Sequence, residues 1–353
     1  MRLLVLPGDG IGPEITAATL DVLRAADARF GLGLAVTEDV VGHASIERHG
    51  TTVRDVLLDT ARQADGLVLG PTATAEYKDP TRGEINPSAF FRRGLDLYAN
   101  IRPARTYEGV PAKLGAFDLV IVRENTEGFY ADRNMEQGNG EILVTPDVAI
   151  ALRRITRRCC ARIARAAFEL TTRRRNHVSI VHKANVLKIG DGMFIDECRK
   201  AAADYPNVTV DEFIVDAMMA HIVRAPQRFD VVVTTNMFGD IISDLTSELS
   251  GSIGLGGSLN AGDRHAMAQA AHGSAPDIAG QDRANPFSLI LSAALLLDWH
   301  GRQKQLPKFT QAAQAIERGV AAAIAAHECT RDVAGSLGTR ATGQALAKRL
   351  GGG

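Results

Sequence analysis

Residues 1–16 read MRLLVLPGDGIGPEIT, and the order of residue types in that stretch decides the fold class. Leu3 to Leu6 is an apolar run of strand length, and Pro7, with no N–H to give a ladder, ends it. Gly8-Asp9-Gly10-Ile11-Gly12 supplies a turn, and Pro13-Glu14 then opens a helical pattern reaching to about Phe30. Similar apolar runs at 66–69, 119–122, 178–181 and 231–233 alternate with helix-patterned segments. The reading is an α/β protein with a mixed, largely parallel sheet. The GDGIG turn imitates a dinucleotide fingerprint but lacks the GxGxxG spacing, so a Rossmann fold is rejected.

Pro and Gly clusters at 70–80, 103–115 and 251–262 interrupt the pattern. They place crossings between two subdomains near residues 99 and 250, so that 1–99 joins 251–353 and 100–250 stands apart. With 40 Lys plus Arg against 41 Asp plus Glu, no global field attracts nucleic acid or a membrane. No apolar run has the length of a membrane span, and charge and turn residues come too early for a signal peptide, so a cytoplasmic protein is expected. Cys159, Cys160, Cys198 and Cys329 lack metal-ligand spacing and read as reduced structural thiols. A helix expected over about 148–170 would align Arg154, Arg158, Arg162 and Arg165 as a basic stripe. Without interleaved aromatic residues this reads as a solvated face rather than a nucleic-acid surface.

Asp240 and Asp244, in the stretch NMFGDIISD at 236–244, follow the Val231–Val233 run. A helix there projects both carboxylates from one face, just beyond a strand's carboxyl end, where ligands of open α/β sheets collect. Oxygen donors suit a hard divalent cation, although acids near a helix N-terminus also complement its dipole. Arg92, Arg102 and Arg123 carry forks able to bind carboxylates, while Tyr130, Lys183 and Asp216 can move protons if their environments suit.

These segments resemble the β-decarboxylating dehydrogenases, the family of isocitrate, 3-isopropylmalate, homoisocitrate and tartrate/D-malate dehydrogenases. The likeness is carried by LPGDGIGPEI at 6–15, FRRGLDLYANIRPAR ending at Arg105, VRENTEGFYADR at 122–133, HKANVLK at 182–188, NMFGDIISDLTSELSGSIGL at 236–255 and HGSAPDIAGQDRANP at 272–286. Six long motifs in order are far more specific than one glycine loop. The resemblance implies a two-subdomain fold like that of isopropylmalate dehydrogenase. Residues 1–99 and 251–353 would bind the cofactor, and 100–250 would carry the dimer interface and the metal ligands.

It also implies NAD-dependent oxidative decarboxylation of a 3-substituted (R)-malate. Arg92, Arg102 and Arg123 would hold the carboxylates. Asp240 and Asp244, with Asp216 of the partner subunit, would bind Mg2+ or Mn2+. Lys183, also given across a homodimer interface, would work with Asp216 on the hydroxyl proton, and Tyr130 would protonate the product carbon. NAD would lie along His272, Gly273, Ser274, Ala275, Pro276, Asp277, Ile278 and Asn285. A carboxylate at Asp277 suits the free 2'-hydroxyl of NAD and repels the 2'-phosphate of NADP.

The segment Asn86-Pro87-Ser88-Ala89 departs from the family's patterns where the C3 substituent is chosen. Ser88 replaces the Leu of isopropylmalate enzymes, Asn86 and Ser88 reverse the Ser-then-Asn order of bacterial isocitrate enzymes, and Ala89 replaces an arginine of some homoisocitrate enzymes. A polar or small C3 substituent is expected. Tartrate or D-malate is the alternative substrate reading. A non-catalytic regulatory subunit of an isocitrate dehydrogenase complex is the alternative class, against which stands the presence of Tyr130, Lys183, Asp216, Asp240 and Asp244.

Overall fold

The computed structural model describes residues 1–112, 114–130 and 140–352. The opening unit forms as its residue types dictate: β1 (Arg2–Leu6) runs into the glycine turn and α1 (Gly12–Phe30) follows, with Pro13 in its first turn and Gly31 at φ 61° closing its end. Beyond it come β2 (Ala35–Glu38), α2 (His43–His49), α3 (Val56–Gln63), β3 (Gly66–Leu69), α4 (Pro87–Gly94), β4 (Ala99–Arg105) and β5 (Asp118–Glu124). A hairpin of β6 (Glu141–Thr145) and β7 (Val148–Ala151) precedes α5 (Arg157–Thr171), β8 (His177–His182), α6 (Gly190–Ala202), β9 (Thr209–Ile214) and α7 (Val215–Arg224). The chain closes with β10 (Val231–Thr234), α8 (Asn236–Leu249), β11 (Leu259–Ala261), β12 (Ala266–Gln269), α9 (Phe287–Gln303), α10 (Pro307–Ala325) and α11 (Thr339–Gly351).

Ten strands form one sheet in the order β2-β1-β3-β12-β11-β4-β5-β10-β8-β9 among the described residues. Pairings on either side are parallel, whereas β12/β11, β11/β4 and β4/β5 in the middle are antiparallel. The expected mixed, largely parallel sheet is present, and its antiparallel centre is foreign to a doubly wound Rossmann sheet. Pro103 lies inside β4 rather than in a loop; β11 begins opposite Ile101 and does not reach Pro103, which there pairs with β5 alone, a position that tolerates a residue without an N–H.

The parallel strands read as unbroken apolar runs because helices cover both faces. Leu3 and Val5 pack with α1 and α9–α11, while Leu4 and Leu6 pack with α3 and α4. In the other half Val231 and Val233 meet α5 and α6, and Val232 meets Met218, Ile222, Phe238 and Ile242 of α7 and α8. Each such fully buried side chain contributes about 1.5–3 kcal/mol. No described helix is long and apolar enough to cross a membrane, and the four cysteines are buried and free.

The expected helix over 148–170 is corrected. Residues 148–151 are strand, and the helix starts at Arg157 behind the Thr156 cap, whose side chain accepts the Cys159 N–H. Arg154 therefore leaves the expected stripe, while Arg158, Arg162 and Arg165 stay on α5. Arg154 bridges Gly128 through its backbone, and Arg158 and Arg162 pair with Asp96 at 3.6 and 2.6 Å.

Candidate active site

Many of the candidate groups sit at or just beyond the carboxyl end of a strand: the glycine turn after β1, His272 after β12, Arg123 and Tyr130 at and after β5, Lys183 after β8, Asp216 after β9, and Asp240 on the helix after β10, with Gln269 closing β12; Asn86, Ser88 and Arg92 belong to α4 and Arg102 to the middle of β4. Arg123, 2% exposed, is clamped by Asn236, whose Oδ1 accepts from Nε at 2.9 Å and Nη2 at 2.7 Å, while Nη1 bonds Asp240. Gly239 permits this approach, since a Cβ there would lie 2.6 Å from the Arg123 side chain. Arg102 Nη1 reaches Ser243 Oγ at 2.8 Å, Asp240 at 3.3 Å and Asp244 at 3.2 Å, and the Tyr130 hydroxyl donates to Asp240 Oδ2 at 3.2 Å.

Asp240 and Asp244 thus share one helix face with a cation between them. Burial pushes the Asp240 carboxyl up, but Arg123 and Arg102 and the Tyr130 hydroxyl outweigh it and hold the group below its ordinary range. Asp244 moves the other way: burial raises it, Asp240 adds repulsion, and Arg102 compensates only in part. Asn236, Asp240, Ser243 and Asp244 follow a helical i, i+4, i+7, i+8 spacing, so Asn236 and Ser243, which the sequence reading passed over, were findable as one polar stripe.

Arg92 on α4 donates to Gln269 Oε1 at 3.1 Å, and the Ser88 hydroxyl donates to the same oxygen at 2.9 Å. Asn86 is the N-cap of α4, its Oδ1 accepting the Ala89 N–H at 3.1 Å. That oxygen is committed to the helix end. No spacing signal in the sequence points to Gln269, 177 residues from Arg92.

Lys183 and Asp216 are brought together by a 2.5 Å ion pair, at the edge of the sheet with Asp216 exposed. The Lys183 hydrogen bond is the main cause that lowers the Asp216 carboxyl. The Lys183 backbone N–H donates to the buried Asp191 at 2.6 Å, and Arg153 donates to the same carboxylate at 2.6 Å. Neither Lys183 nor Asp216 bonds the Arg123–Asp240 cluster of its own chain, and among the described residues no three His, Cys, Asp or Glu side chains gather as a metal site.

The glycine turn has a structural task. Ile11 N donates to Ser274 O at 2.9 Å, and a Cβ on Gly10 would lie 2.0 Å from that oxygen, so the turn is the floor beneath the HGSAPDI loop. Above it opens a cavity of about 710 Å³ lined by His272, Gly273, Ala275, Ile278 and Asn285, among others; Ser274 is buried, and Pro276 and Asp277 are exposed on the adjoining turn. Asn285 serves as a brace, its Oδ1 accepting the Phe287 N–H and its Nδ2 donating to Asp332. Asp332 also accepts from Ser252 and Thr330, tying three segments of the cavity wall together, a role the sequence did not announce. His272 Nδ1 meets the Gly273 carbonyl at 3.0 Å, so that nitrogen carries the hydrogen and Nε2 is left as a buried acceptor without a partner among the described residues.

Residues 2–348 match the model of the isocitrate/isopropylmalate dehydrogenase family. The isocitrate/homoisocitrate dehydrogenase of Thermus thermophilus is 39% identical over 350 residues, 99% of this chain and 98% of that protein. The 3-isopropylmalate dehydrogenase of Archaeoglobus fulgidus is 38% identical over 339 residues, 96% of each. The crystal structure of isocitrate dehydrogenase from Methylococcus capsulatus superposes with a TM-score of 0.87 at 37% identity, covering 99% of both chains. By class this is a decarboxylating dehydrogenase of hydroxy acids. More narrowly, the chain belongs to the isocitrate/isopropylmalate dehydrogenase family.

Proposed function

We propose that the protein oxidises and decarboxylates a 3-substituted (R)-malate with a small or polar C3 group, using NAD and Mg2+ or Mn2+, as a homodimer with shared sites. The observation that carries this reading is the convergence of Arg102, Arg123 and Tyr130 on Asp240. Guanidiniums for substrate carboxylates, a carboxylate for a cation and a phenol for proton transfer stand in one cluster. Asp240 and Asp244 offer the oxygen donors that hard cations take, and they already share the Arg102 charge, so they suit a divalent ion once a substrate carboxylate engages Arg102. The orphaned His272 Nε2 beside the 710 Å³ cavity suits a ligand that donates a hydrogen bond, such as an adenine amino group.

Residues 1–99 and 251–353 are assigned to the cofactor and 100–250 to the metal ligands and the dimer interface. Dimerisation is supported by apolar exposure gathered on the second of these parts. Ile142, Leu143, Val144, Val148 and Ile150 cover the hairpin at 47–72% exposure, and Val186 and Ile189 next to Lys183 stand 65% and 83% exposed. Lys183 and Asp216 would then serve the cluster of the other copy.

In the reaction Arg92, Arg102 and Arg123 orient the carboxylates. Lys183 with Asp216 takes the C2 hydroxyl proton. Asp240 and Asp244, with Asp216 of the partner subunit, would hold a divalent metal able to stabilise negative charge on the substrate's oxygens, and the cavity beside His272 would hold the NAD whose nicotinamide is the hydride acceptor. The β-carboxylate leaves as carbon dioxide, and the Tyr130 hydroxyl gives its proton to C3. Asp277, exposed at the cavity edge, is assigned to the 2'-hydroxyl of NAD. The test follows NADH formation with isocitrate, 3-isopropylmalate, homoisocitrate, D-malate and tartrate, with and without a chelator. Turnover of at least one malate that stops on metal removal is expected; turnover indifferent to the chelator defeats the reading.

A further inference from the structure

We infer that Gln269 is a positioning residue that sets the charge of the C3 pocket: its one carbonyl oxygen fixes Arg92 and Ser88 together while adding no negative charge to the site. The inference rests on the substrate reading above and goes further into it.

Gln269 Oε1 receives Ser88 Oγ at 2.9 Å and Arg92 Nη2 at 3.1 Å, with Asn260 Nδ2 at 3.4 Å. A guanidinium can only donate, so the atom facing Arg92 is the oxygen and the amide cannot be flipped. Asn260 is fixed from its other side, because its Oδ1 accepts from Asn125 Nδ2 at 3.0 Å, and the Asn125 amide also donates to Leu97 O at 3.0 Å. The Gln269 backbone carbonyl accepts from Ser292 Oγ at 3.0 Å. Asn125, Asn260 and Ser292 are buried, so Gln269 is held from the core and passes that order outward to α4.

Two consequences follow for a ligand. Ser88 spends its proton on Gln269, so toward a ligand its oxygen can only accept. Arg92 is steered by a neutral group, so its positive charge acts on an anion undiminished by this neighbour. A carboxylate in the place of the carboxamide would accept the same donors, but it would draw Arg92 into an ion pair and add repulsion against the substrate's carboxylates.

The test compares wild type with Gln269→Glu and Gln269→Met. Malate binding is measured by calorimetry, and kcat and KM are measured for isocitrate, with an anionic C3 group, and 3-isopropylmalate, with an apolar one. For Gln269→Glu, malate binding weakens by about tenfold, and KM for isocitrate rises several-fold more than KM for 3-isopropylmalate, with a melting temperature near wild type. For Gln269→Met, which removes the acceptor but adds no charge, KM rises for both substrates by similar factors. Equal losses on both substrates in Gln269→Glu, or malate affinity equal to wild type, overturn the inference. Wild type that binds malate but turns over none of the panel defeats the functional reading alone, and the calorimetric comparison still decides Gln269. Wild type that does not bind malate overturns both.

Discussion

Arg123 and Asp240 lie 117 residues apart, yet the buried guanidinium of the first donates directly to the carboxylate of the second, and Asn236 holds the rest of the fork. The arrangement makes Arg123 a structural group, and in the proposed function it would be a binding group as well. In Arg123→Met, Asn236 loses its charged donor and Asp240 keeps only the longer contact from Arg102 beside the Tyr130 hydroxyl, in a site where water reaches only part of the carboxylate. Removing one partner of a buried pair costs about 3–5 kcal/mol, and the partial exposure of Asp240 puts the expected loss near the lower figure. Urea denaturation measures it. In the double variant with Asp240→Asn the loss is smaller than the sum of the single losses by about 1 kcal/mol or more; strict additivity contradicts the coupling.

Much of this was legible from local chemistry, and the rest was not, for physical reasons. β1, β3, β5, β8 and β10 are covered on both faces and announce themselves as apolar runs. β2 is an edge strand whose residues are all exposed, and β11 and β12 are short segments whose pairing depends on the distant β4 and β3. The stretch 148–151 passed for helix because its small and β-branched residues stabilise either state, and pairing with β6 decides for strand. In the site, Asp240 and Asp244 could be placed by spacing. Gln269, Asp332 and Asp191 act through hydrogen bonds closed by tertiary structure, which no local pattern encodes.

A shared site makes a strict prediction about mixed dimers. Lys183→Met and Tyr130→Phe each lose turnover as homodimers while still binding NAD. If Lys183 serves the Tyr130 of the other copy, a mixed dimer of the two variants contains one site with both groups intact. Random mixing gives half mixed dimers, each with one good site of two, so activity recovers to about a quarter of wild type. No recovery after subunit exchange would place both groups in the same chain's site.

The hairpin supplies a separate check on assembly. Leu143 and Ile150 are 72% and 48% exposed in one chain, and burying such side chains contributes about 1.5–3 kcal/mol each. Leu143→Asp with Ile150→Asp is expected to shift the protein to monomer by light scattering and to abolish turnover while leaving NAD binding in place. An intact dimer in the variant would remove the hairpin from the interface.

The proposed metal dependence is tested at the two carboxylates on α8. Asp244→Asn removes one oxygen donor carrying charge and is expected to weaken Mn2+ binding, read by electron paramagnetic resonance, by about tenfold or more. NAD affinity, assigned by the proposal to the cavity beyond β12, should stay within about twofold. Unchanged Mn2+ affinity would assign Asp244 to the helix surface.

His272 is expected to give the proposed cofactor cavity its pH dependence. Burial lowers its pKa below the ordinary 6.5, so the folded protein favours the neutral ring. For a base with a depressed folded value, the unfolded chain binds the proton first. Stability from this group is therefore fully present above 6.5 and is lost as pH falls through the folded value. Protonation also removes the Nε2 acceptor, so NAD binding should weaken in the same acid range and stay level at neutral pH and above. His272→Gln, which cannot titrate, should flatten both profiles in thermal unfolding and in NAD titrations. If wild type and variant fall in parallel on acidification, another group governs the loss and the acceptor role of Nε2 fails.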